Sequence, residues 1–325
     1  MKISLITPAN KQSKNGNRTT ALRWARILRE AGHHVRVDVD YGGEAADLMI
    51  AIHAWRSAAA ILRYRERFPG GPLVVILGGT DVNVFLQSHP ETTLRSMEKA
   101  DALICLHDLI GEALPARFRR KLHVVYQSAL PLPGPRRPAK RNFDICVIGH
   151  LRDVKDPFRA ALAARRLPPE SRLRVIHLGK AQTPDFASQA GAEMDMNPRY
   201  RWLGEVPWWR VRRELAKTRL MVISSNQEGG ANVVSEAIVA GVPVIASDIP
   251  GNVGLLGRDY PGYYPVGDEA ALARLLDRAE TEPAFLDMLE RYGRKLKPLF
   301  RRDREQAALQ RIVNSVARSG RNFKL

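Results

Sequence analysis

The chain has 325 residues, 45% of them hydrophobic and 26% charged, and a formal net charge of +17. This length is comfortable for two domains with separate cores, and the composition is typical of a soluble globular protein. No apolar run approaches the roughly 20 residues that cross a bilayer, which excludes a helical membrane span.

The excess of basic residues favours anionic partners, namely nucleic acid, phospholipid or phosphorylated small molecules. Much of this charge is also compatible with solvated helix surfaces. The sequence has no zinc-finger spacing, RNA-binding aromatic motif or low-complexity basic tail. We therefore expect no nucleic-acid partner and no stable membrane association.

The first half alternates strand-like and helix-like segments. MKISLITPAN has too short an apolar stretch for a signal peptide and predicts the first strand of a cytoplasmic protein. A helix is predicted over RTTALRWARILREAG, with Gly32 near its end. Further apolar runs predict strands buried on both faces of a parallel sheet: HVRVDV, DLMIAI, LVVIL, DALICL and KLHVVY.

A Pro-rich, basic segment without periodicity, Ala129–Asn142, predicts a linker. A second series of strands follows it: FDICVIG, RLRVIHLG, YRWLG, LMVIS and VPVIAS. The sequence thus predicts two doubly wound, Rossmann-like α/β domains, residues 1–135 and 136–300, facing each other across a cleft. Cys105 and Cys146 lie in strand-like runs, and we expect both to be buried, reduced thiols.

In doubly wound sheets ligands bind at the carboxyl ends of strands, so the loops after the strands are candidate sites. The loop after the first strand carries Lys11, Lys14 and Arg18, with Gly16 and Asn17 just before the helix. If Asn17 caps the helix, free N–H groups at the helix start and nearby cations form an anion site. An ordinary polar loop is the alternative.

Two further loops of the first half carry polar groups. GGTDVN, Gly78–Asn83, offers the Thr80 hydroxyl and the Asp81 carboxylate, although a lone Asp in a turn is commonly an N-cap. IHAWRSA ends another strand, and His53 and Arg56 could face the same cleft. A core histidine is an equally good interpretation of His53.

The loops of the second half suit a diphosphate. In VIGHLRDVKDP, Arg152 and Lys155 follow a strand three residues apart, and Arg forks onto phosphate oxygens while Lys acts as a point charge. HLGKA puts Lys180 at the next strand end. WLGEVPWW offers backbone groups that could read a base edge, and its Trp208 and Trp209 are expected to pack rather than stack on a ligand.

EGGANVVSE places two glutamates, Glu228 and Glu236, around a Gly-Gly-Ala-Asn loop. If a helix begins near Ala231, the N–H groups of Gly229–Asn232 point outward at its positive end. The amides then suit phosphate and the carboxylates suit sugar hydroxyls. Solvated glutamates that interact with the helix dipole are the alternative.

The spacing of Glu228, seven residues, Glu236 and then AIVAGVPVIAS resembles the motif of retaining glycosyltransferases of the large family 4 group. That group has the GT-B fold of two Rossmann-like domains, with a C-terminal helix, here 301–325, packing back on the N-terminal domain. The resemblance implies that Glu236 holds the ribose hydroxyls and Glu228 those of the donor sugar. Lys155 matches the diphosphate lysine, and His150 stands where the family usually has arginine.

A finer pattern, in TPANKQSKNGNRTTALRWA, HAWRSA, LGGTDV and GHLRDVKDPFRAA, resembles the selenosugar synthases of selenoneine biosynthesis. This resemblance implies UDP-N-acetylglucosamine or UDP-glucose as donor and selenophosphate as acceptor, with no metal or other cofactor. A family 4 enzyme with a hydroxyl acceptor, such as a lipid or a glycan, is the alternative. A nucleic-acid binder rests on net charge alone.

Together these readings assign three groups of residues. The catalytic group is Arg152, Lys155 and Glu228. The donor-binding group is Gly149, His150, Gly179, Lys180, Gly204, Val206, Gly229, Gly230, Ala231, Asn232, Val233 and Glu236. The acceptor-binding group is Lys11, Gly16, Asn17, Arg18, Thr19, Thr20, His53, Gly79, Thr80 and Asp81.

Overall fold

The computed structural model describes residues 1–12 and 16–321, without the side chains of 319–321. Lys14, one of the predicted acceptor-loop cations, lies outside the described residues. The chain divides into two compact units. The first comprises Met1–Gln127 and the segment from Arg302, and the second is Ser128–Arg301.

The first unit is built on a six-stranded sheet in the order β2-β1-β3-β4-β5-β6, in which every neighbouring pair is parallel. Its strands are β1 Lys2–Ile6, β2 His34–Asp38, β3 Leu48–Ile52, β4 Leu73–Ile76, β5 Ala102–Cys105 and β6 Leu122–Val124. Every residue of β3, β4 and β5 is buried, as predicted for continuous apolar runs covered on both faces.

Helices cover both faces of this sheet. They are α1 Gly16–Glu30, α2 Ala58–Arg67, α3 Leu86–Ser88, α4 Pro90–Lys99 and α5 Ile110–Ala113. A π-helical turn, Asp81–Phe85, and a 3-10 turn, Ala116–Lys121, complete the connections. Gly32 follows α1 with a φ of +82°, a left-handed conformation that glycine adopts without steric cost.

The second unit repeats the architecture, with a six-stranded parallel sheet in the order β12-β11-β10-β7-β8-β9. Its strands are β7 Phe143–Ile148, β8 Leu173–Leu178, β9 Tyr200–Trp202, β10 Leu220–Ile223, β11 Val244–Ser247 and β12 Tyr263–Tyr264. The two cysteines, Cys105 in β5 and Cys146 in β7, are buried free thiols, which confirms the prediction.

The helices of the second unit are α6 Arg159–Arg165, α7 Pro184–Met196, α8 Trp208–Lys217, α9 Asn232–Ala240, α10 Pro250–Leu256, α11 Glu269–Thr281 and α12 Pro283–Leu296. Short 3-10 turns lie at Asp153–Lys155 and Lys297–Phe300. The linker segment runs beside the end of α8, where Arg137 N–H donates to Ala216 O at 2.8 Å and Ala139 N–H donates to Lys217 O at 3.0 Å.

The last helix, α13 Arg302–Arg321, packs within the first unit. Leu309 and Val313 belong to the core beneath α1, where Trp24 is fully buried. The Trp24 indole N–H donates to the buried Glu305 carboxylate at 2.8 Å, which satisfies both polar groups away from water. The chain therefore completes its first core with its last helix.

Each sheet reverses its strand order at one point. The reversal lies between β1 and β3 in the first sheet and between β7 and β10 in the second. Loops that leave the carboxyl ends of the strands at such a reversal splay to opposite faces and leave a crevice in which ligands bind. The loops after β1, β3, β7 and β10 are thus the positions that the topology favours.

Candidate active site

Two of the predicted catalytic residues, Lys155 and Glu228, meet in the second unit. The Lys155 ammonium forms an ion pair with Glu228 Oε1, and their side chains are 20% and 11% exposed. The Ser225 hydroxyl donates to the same carboxylate oxygen at 2.6 Å. A half-buried cation and carboxylate at adjacent strand ends are available for a phosphate and a hydroxyl, respectively.

Backbone contacts fix the loop that carries Lys155. It lies in the 3-10 turn, which ends at Asp156 in the left-handed conformation with φ of +42°. The Ser224 hydroxyl donates to the carbonyl oxygens of Lys155 and Asp156 at 3.0 and 2.8 Å. Asn226 N–H donates to Val154 O at 2.9 Å. The end of β10 thereby holds the loop after β7.

The segment Glu228–Glu236 has the predicted geometry. Ala231 is the N-cap of α9, so Glu228 lies in the preceding loop and Glu236 in the helix just past its first turn. Gly241 ends the helix in the left-handed conformation, with φ of +74°. Asn232 Oδ1 is buried and accepts no hydrogen bond within the described part of the chain, which leaves an acceptor for a ligand donor.

Gly251, at the start of α10, permits a close approach to Glu228. A Cβ atom at this position would lie 2.3 Å from the Glu228 carbonyl oxygen. Such a contact cannot exist without a shift of the backbone, so the absence of a side chain is what lets α10 support the Glu228 loop. Gly251, the last residue of AIVAGVPVIASDIPG, is not among the predicted site residues.

Gly149 and Gly179 bring the loops after β7 and β8 together. A Cβ on Gly179 would lie 1.8 Å from Gly149 O, so only glycine fits there. Lys180 N–H donates to His150 Nδ1 at 3.1 Å, which links the next two residues of the same loops. The structure therefore places these four predicted donor-binding residues at one edge of the sheet.

The surroundings of His150 favour its neutral form. Burial lowers its pKa below the ordinary value of 6.5, Glu205 opposes this shift, and the cations Arg152, Lys155 and Lys180 add to it. Because Nδ1 accepts from Lys180 N–H, the proton of the neutral ring lies on Nε2. His150 thus offers a neutral donor at the position where an arginine would supply charge, and Arg152 lies exposed on the same loop.

Sequence reasoning missed His177. This fully buried residue of β8 donates from Nε2 to Gly149 O at 3.1 Å and accepts at Nδ1 from the Tyr200 hydroxyl at 2.9 Å. Burial lowers its pKa to about 4, so the ring stays neutral. Its position in RLRVIHLG, one residue before the strand end, was the available signal.

The predicted base-reading segment follows β9. Gly204 has a φ of +68°, and its carbonyl oxygen accepts from Gly179 N–H at 2.9 Å. Val206 is half-buried. The expectation that Trp208 and Trp209 pack was wrong, because their side chains are 56% and 60% exposed at the start of α8.

In the first unit, the loop before α1 differs from the prediction. The helix already begins at Gly16, so Asn17 lies inside it and the predicted N-cap was wrong. Arg18 is buried rather than extended into solvent, while Lys11 and Thr19 are exposed. Within the described residues, α1 therefore begins with Gly16, Asn17 and Arg18 in its first turn.

Thr20 holds a different part of the same edge. Its hydroxyl oxygen accepts from Gln127 Nε2 at 2.6 Å, within the buried interior. The segment after β6 is thereby fastened to α1. Since the Thr20 oxygen already serves this bond, its structural role is to position the segment, and its predicted contact with an acceptor stays a prediction.

His53, Thr80 and Asp81 do come together. His53 Nδ1 lies 2.7 Å from Asp81 Oδ1, and His53 Nε2 lies 2.8 Å from Thr80 Oγ1. The His53 and Asp81 side chains are buried, whereas Thr80 and Gly79 are half-buried. These contacts join the loops after β3 and β4.

The Asp81 carboxylate is committed to the protein. It accepts hydrogen bonds from the backbone N–H groups of Ala54, Trp55 and Gly78 at 2.9, 2.9 and 2.8 Å. A fully buried carboxylate with these donors organises two loops instead of capping a helix. The carboxylate thus positions His53 and the backbone after β3, and its predicted contact with an acceptor stays a prediction.

Comparison with known proteins places this geometry in a family. Residues 134–296, half of the chain, match the family model of glycosyl transferases group 1. The chain belongs to this family. It is a glycosyltransferase, and the matched region contains every predicted catalytic and donor-binding residue.

A curated relative is similar over most of the chain. The glycosyltransferase 1 domain-containing protein 1 of Xenopus tropicalis is 24% identical over 297 residues, 84% of this chain and 86% of the relative. The lipopolysaccharide 1,6-galactosyltransferase of Escherichia coli K12 is 29% identical over 105 residues, 31% of this chain and 29% of the relative.

Solved structures confirm the predicted α/β, GT-B fold. Anabaena HepE in complex with UDP superposes with a TM-score of 0.76 at 16% identity, covering 98% of this chain and 100% of HepE. The lipopolysaccharide outer core galactosyltransferase WaaB gives 0.71 at 15% identity, covering 97% and 99%. At these identities the likeness concerns the fold alone.

Two negative findings apply to residues 1–12 and 16–321. In this part of the chain no helix combines the length and apolar character required to cross a membrane. The same residues contain no group of three or more His, Cys, Asp or Glu side chains suited to a metal ion.

Proposed function

We propose that this glycosyltransferase moves a hexose, N-acetylglucosamine or glucose, from a UDP-sugar to selenophosphate. The observation that carries the donor half is the Lys155–Glu228 pair at the adjacent ends of β7 and β10. A diphosphate competes with Glu228 for the ammonium of Lys155. Its binding would release the carboxylate for the hydroxyls of the transferred sugar.

The identity of the nucleotide draws on the relatives and on the segment after β9. HepE has been crystallised with UDP and with UDP-glucose. In this chain Glu236, half-buried on α9, is proposed to hold the ribose, and the backbone around Gly204–Val206 the uracil. The start of α9 and the cations Arg152 and Lys155 would then stabilise the negative charge that develops on departing UDP.

The proposed reaction balances in two steps. An electron pair on selenium attacks the anomeric carbon, the C–Se bond forms, and the bond from that carbon to the UDP oxygen breaks with its electrons on UDP. Water then cleaves the Se–P bond and releases phosphate and the 1-seleno-sugar. A soft anionic nucleophile needs little help from a general base, and the proposal includes no metal.

The acceptor half rests on the first unit and on the resemblance of its loops to selenosugar synthases. Selenophosphate is small and anionic, so its site should contain cations and hydrogen-bond donors instead of an open apolar groove. Lys11 and Arg18 near the start of α1 provide cations, and Thr80 provides a half-buried hydroxyl held by His53.

A hydroxyl acceptor on a lipid or glycan is the second candidate. The partial similarity to a lipopolysaccharide galactosyltransferase favours it, as does the fold likeness to WaaB. The exposed pair Trp208 and Trp209, with the Arg212 guanidinium carbon 4.6 Å from the centre of the Trp208 ring, would suit an amphipathic acceptor.

The test incubates the purified protein with UDP-N-acetylglucosamine or UDP-glucose and selenophosphate. Chromatography measures UDP, and mass spectrometry measures the seleno-sugar. We expect stoichiometric release of both products, and only background UDP when selenophosphate is omitted or replaced by phosphate. Glu228→Gln is the inactive control, and Glu170→Gln, exposed on the loop before β8, is the matched active control.

The result separates the two candidates. UDP release without a seleno-sugar, but with a glycosylated alcohol or lipopolysaccharide fragment, would replace selenophosphate by a hydroxyl acceptor. If no UDP-sugar is turned over with either class of acceptor, the assignment of a UDP-sugar as donor is wrong.

A further inference from the structure

The buried contacts of His53 determine where its protons lie. A ring nitrogen 2.7 Å from a carboxylate oxygen needs a proton between them, because both atoms are otherwise acceptors, so Nδ1 donates to Asp81. The Arg56 backbone N–H, 3.2 Å from the same nitrogen, is then a neighbour and not a donor to it. In the neutral ring Nε2 therefore accepts, and the Thr80 hydroxyl 2.8 Å away must donate.

The backbone holds His53 in this arrangement at a conformational cost. Its φ of +77° lies in the left-handed region, which is uncommon for residues other than glycine. Such outliers persist where the surrounding structure over-determines them, and they cluster at ligand sites. Here the Asp81 carboxylate fixes the next two residues through Ala54 and Trp55 N–H, so the ring has little freedom to leave Thr80.

Three ionisable groups contact the His53 ring or the neighbouring Phe85 ring. Asp81 contacts it directly from the π-helical turn. The Arg56 guanidinium carbon lies 5.9 Å from the centre of the Phe85 ring, which covers His53 at a centroid distance of 5.6 Å. Exposed His89 packs against Phe85, with ring centres 5.7 Å apart. One carboxylate therefore contacts the imidazole, and two basic groups lie next to the aromatic ring that packs on it.

The protonation of His53 reverses the polarity of Thr80. While the ring is neutral, the Thr80 hydroxyl proton points at Nε2. The hydroxyl then offers a ligand only oxygen lone pairs, and these lone pairs repel an oxyanion. In the protonated ring Nε2–H donates to Thr80 Oγ1, and the hydroxyl proton is released to donate outward. The same residue thus accepts from a ligand in one state and donates to it in the other.

We propose that an anionic acceptor binds at the Thr80 hydroxyl together with one proton, which is taken up by His53. This proposal rests on the proposed function, in which the acceptor is an oxyanion held by the first unit. The bound state then contains an Asp81–imidazolium pair, a hydroxyl that donates to the anion, and no net unpaired buried charge. A neutral hydroxyl acceptor needs no proton, because the lone pairs of Thr80 already suit its O–H group.

Calorimetry measures the proton directly. The full-length protein, saturated with UDP, is titrated with inorganic sulfate, whose charge is constant between pH 6 and pH 8.5, in two phosphate-free buffers of different ionisation enthalpy. We expect sulfate binding at pH 8.5 to take up about one proton. Affinity should be higher at pH 6 than at pH 8.5, and it should fall by up to about tenfold per pH unit between them.

Four variants locate the proton. His53→Gln and Thr80→Val should abolish the proton uptake and weaken sulfate binding at pH 6 by about tenfold, the typical value of one charge-assisted hydrogen bond. Thr80→Ser retains the hydroxyl and should retain both properties, as should His89→Gln. Thermal unfolding checks that each variant is folded, and Thr80→Val provides the test if the buried His53 tolerates no substitution.

The outcomes separate this inference from the proposed function. Equal proton uptake in wild type and Thr80→Val, sulfate binding without uptake, or no sulfate binding at all would each overturn the role of His53 and Thr80. If sulfate binds with uptake but selenophosphate gives no seleno-sugar, the proposed acceptor fails while the anion subsite stands. If Thr80→Val makes seleno-sugar at the wild-type rate at every pH, the function stands and the subsite fails.

Discussion

The two units place charge at their strand ends in different ways. In the second unit Lys155 and Glu228 form a half-buried ion pair that a ligand can separate. In the first unit Asp81 is fully buried and bound by three backbone N–H groups and by His53, whose other ring nitrogen contacts Thr80. A charged pair such as Lys155 and Glu228 can be recognised from residue type and spacing. The arrangement of Asp81, His53 and Thr80 depends on contacts that only the fold creates.

The strongest test of the direct arrangement is Glu228→Gln. It removes the carboxylate that pairs with Lys155 and accepts from Ser225, so transfer should slow about a hundred- to a thousandfold, as when a transition-state contact is lost. Initial rates of UDP release at saturating substrates measure the effect. A rate within threefold of wild type, with Glu170→Gln as control, contradicts the role of the pair.

Two buried histidines, one in each unit, sharpen the comparison through acid stability. Burial lowers the pKa of both His107 and His177 to about 4, so protons bind the unfolded chain first as the pH falls from about 6.5. The free energy of unfolding therefore keeps its full value above pH 6.5 and decreases as the pH falls towards 4. Each histidine accounts for a decrease of about 3 kcal/mol over this range. Urea unfolding at pH 7 and pH 4.5 measures this loss.

The two histidines differ in their partners. Both nitrogens of His177 are hydrogen-bonded, but neither nitrogen of His107 has a partner within the described residues. His107→Leu should thus reduce the acid sensitivity without lowering stability at pH 7. His177→Leu leaves the Tyr200 hydroxyl and Gly149 O unpaired and should destabilise the second unit at pH 7 as well. Equal costs at pH 7 would contradict the distinction.

Gly251→Ala tests how closely α10 must support the Glu228 loop. The added methyl group would sit 2.3 Å from Glu228 O, so the loop has to move, and we expect activity to fall about tenfold or more. The matched control is Gly191→Ala in α7, where a Cβ meets no atom within 4 Å. Steady-state kinetics of both variants decide the point, and similar rates would show that the approach is not needed.

A smaller effect is expected from Arg18 in the first unit. Arg18→Ala should raise the Michaelis constant for selenophosphate about tenfold, with less effect on the UDP-sugar, because one charge-assisted contact is lost. Arg18→Lys keeps the charge, and its Michaelis constant for selenophosphate should lie between those of wild type and Arg18→Ala. This variant separates charge from packing at the buried position. Equal changes for both substrates would remove the division between donor and acceptor units.

The smallest expected effect is that of metal removal. Because the proposal assigns stabilisation of departing UDP to Arg152, Lys155 and the start of α9, incubation with a chelator followed by gel filtration should leave the initial rate unchanged. A loss of activity that Mg²⁺ or Mn²⁺ restores would show that these residues do not suffice.

Much of the fold and part of the site could be predicted from sequence. Continuous apolar runs gave the parallel strands, and Gly-Gly-Ala-Asn before an apolar segment gave the start of α9 after Ala231. These signals are local. The predicted N-cap at Asn17 was wrong because α1 begins at Gly16, two residues before the predicted first helical residue, Arg18, and local propensity does not define such a boundary.

Other features depend on contacts distant in sequence. His177 supports Gly149, 28 residues away, and Asp81 fastens the backbone after β3, 26 or 27 residues away. A histidine in an apolar strand and an aspartate in a turn have ordinary structural readings, and nothing in their immediate sequence reveals which loop they hold. The exposure of Trp208 and Trp209 likewise depends on which side of α8 packs against the rest of the unit.

The His177 ring offers a spectroscopic view of this enzyme in solution. Its Nε2 proton is shielded from water and directed at Gly149 O, so it should exchange slowly and give a distinct imidazole resonance in nitrogen-15 spectra. Because the adjacent loop contains His150, the chemical shift of that proton should report nucleotide occupancy. A reporter that needs isotope enrichment but no attached probe thus sits beneath the loop after β7, 3.1 Å from the backbone it senses.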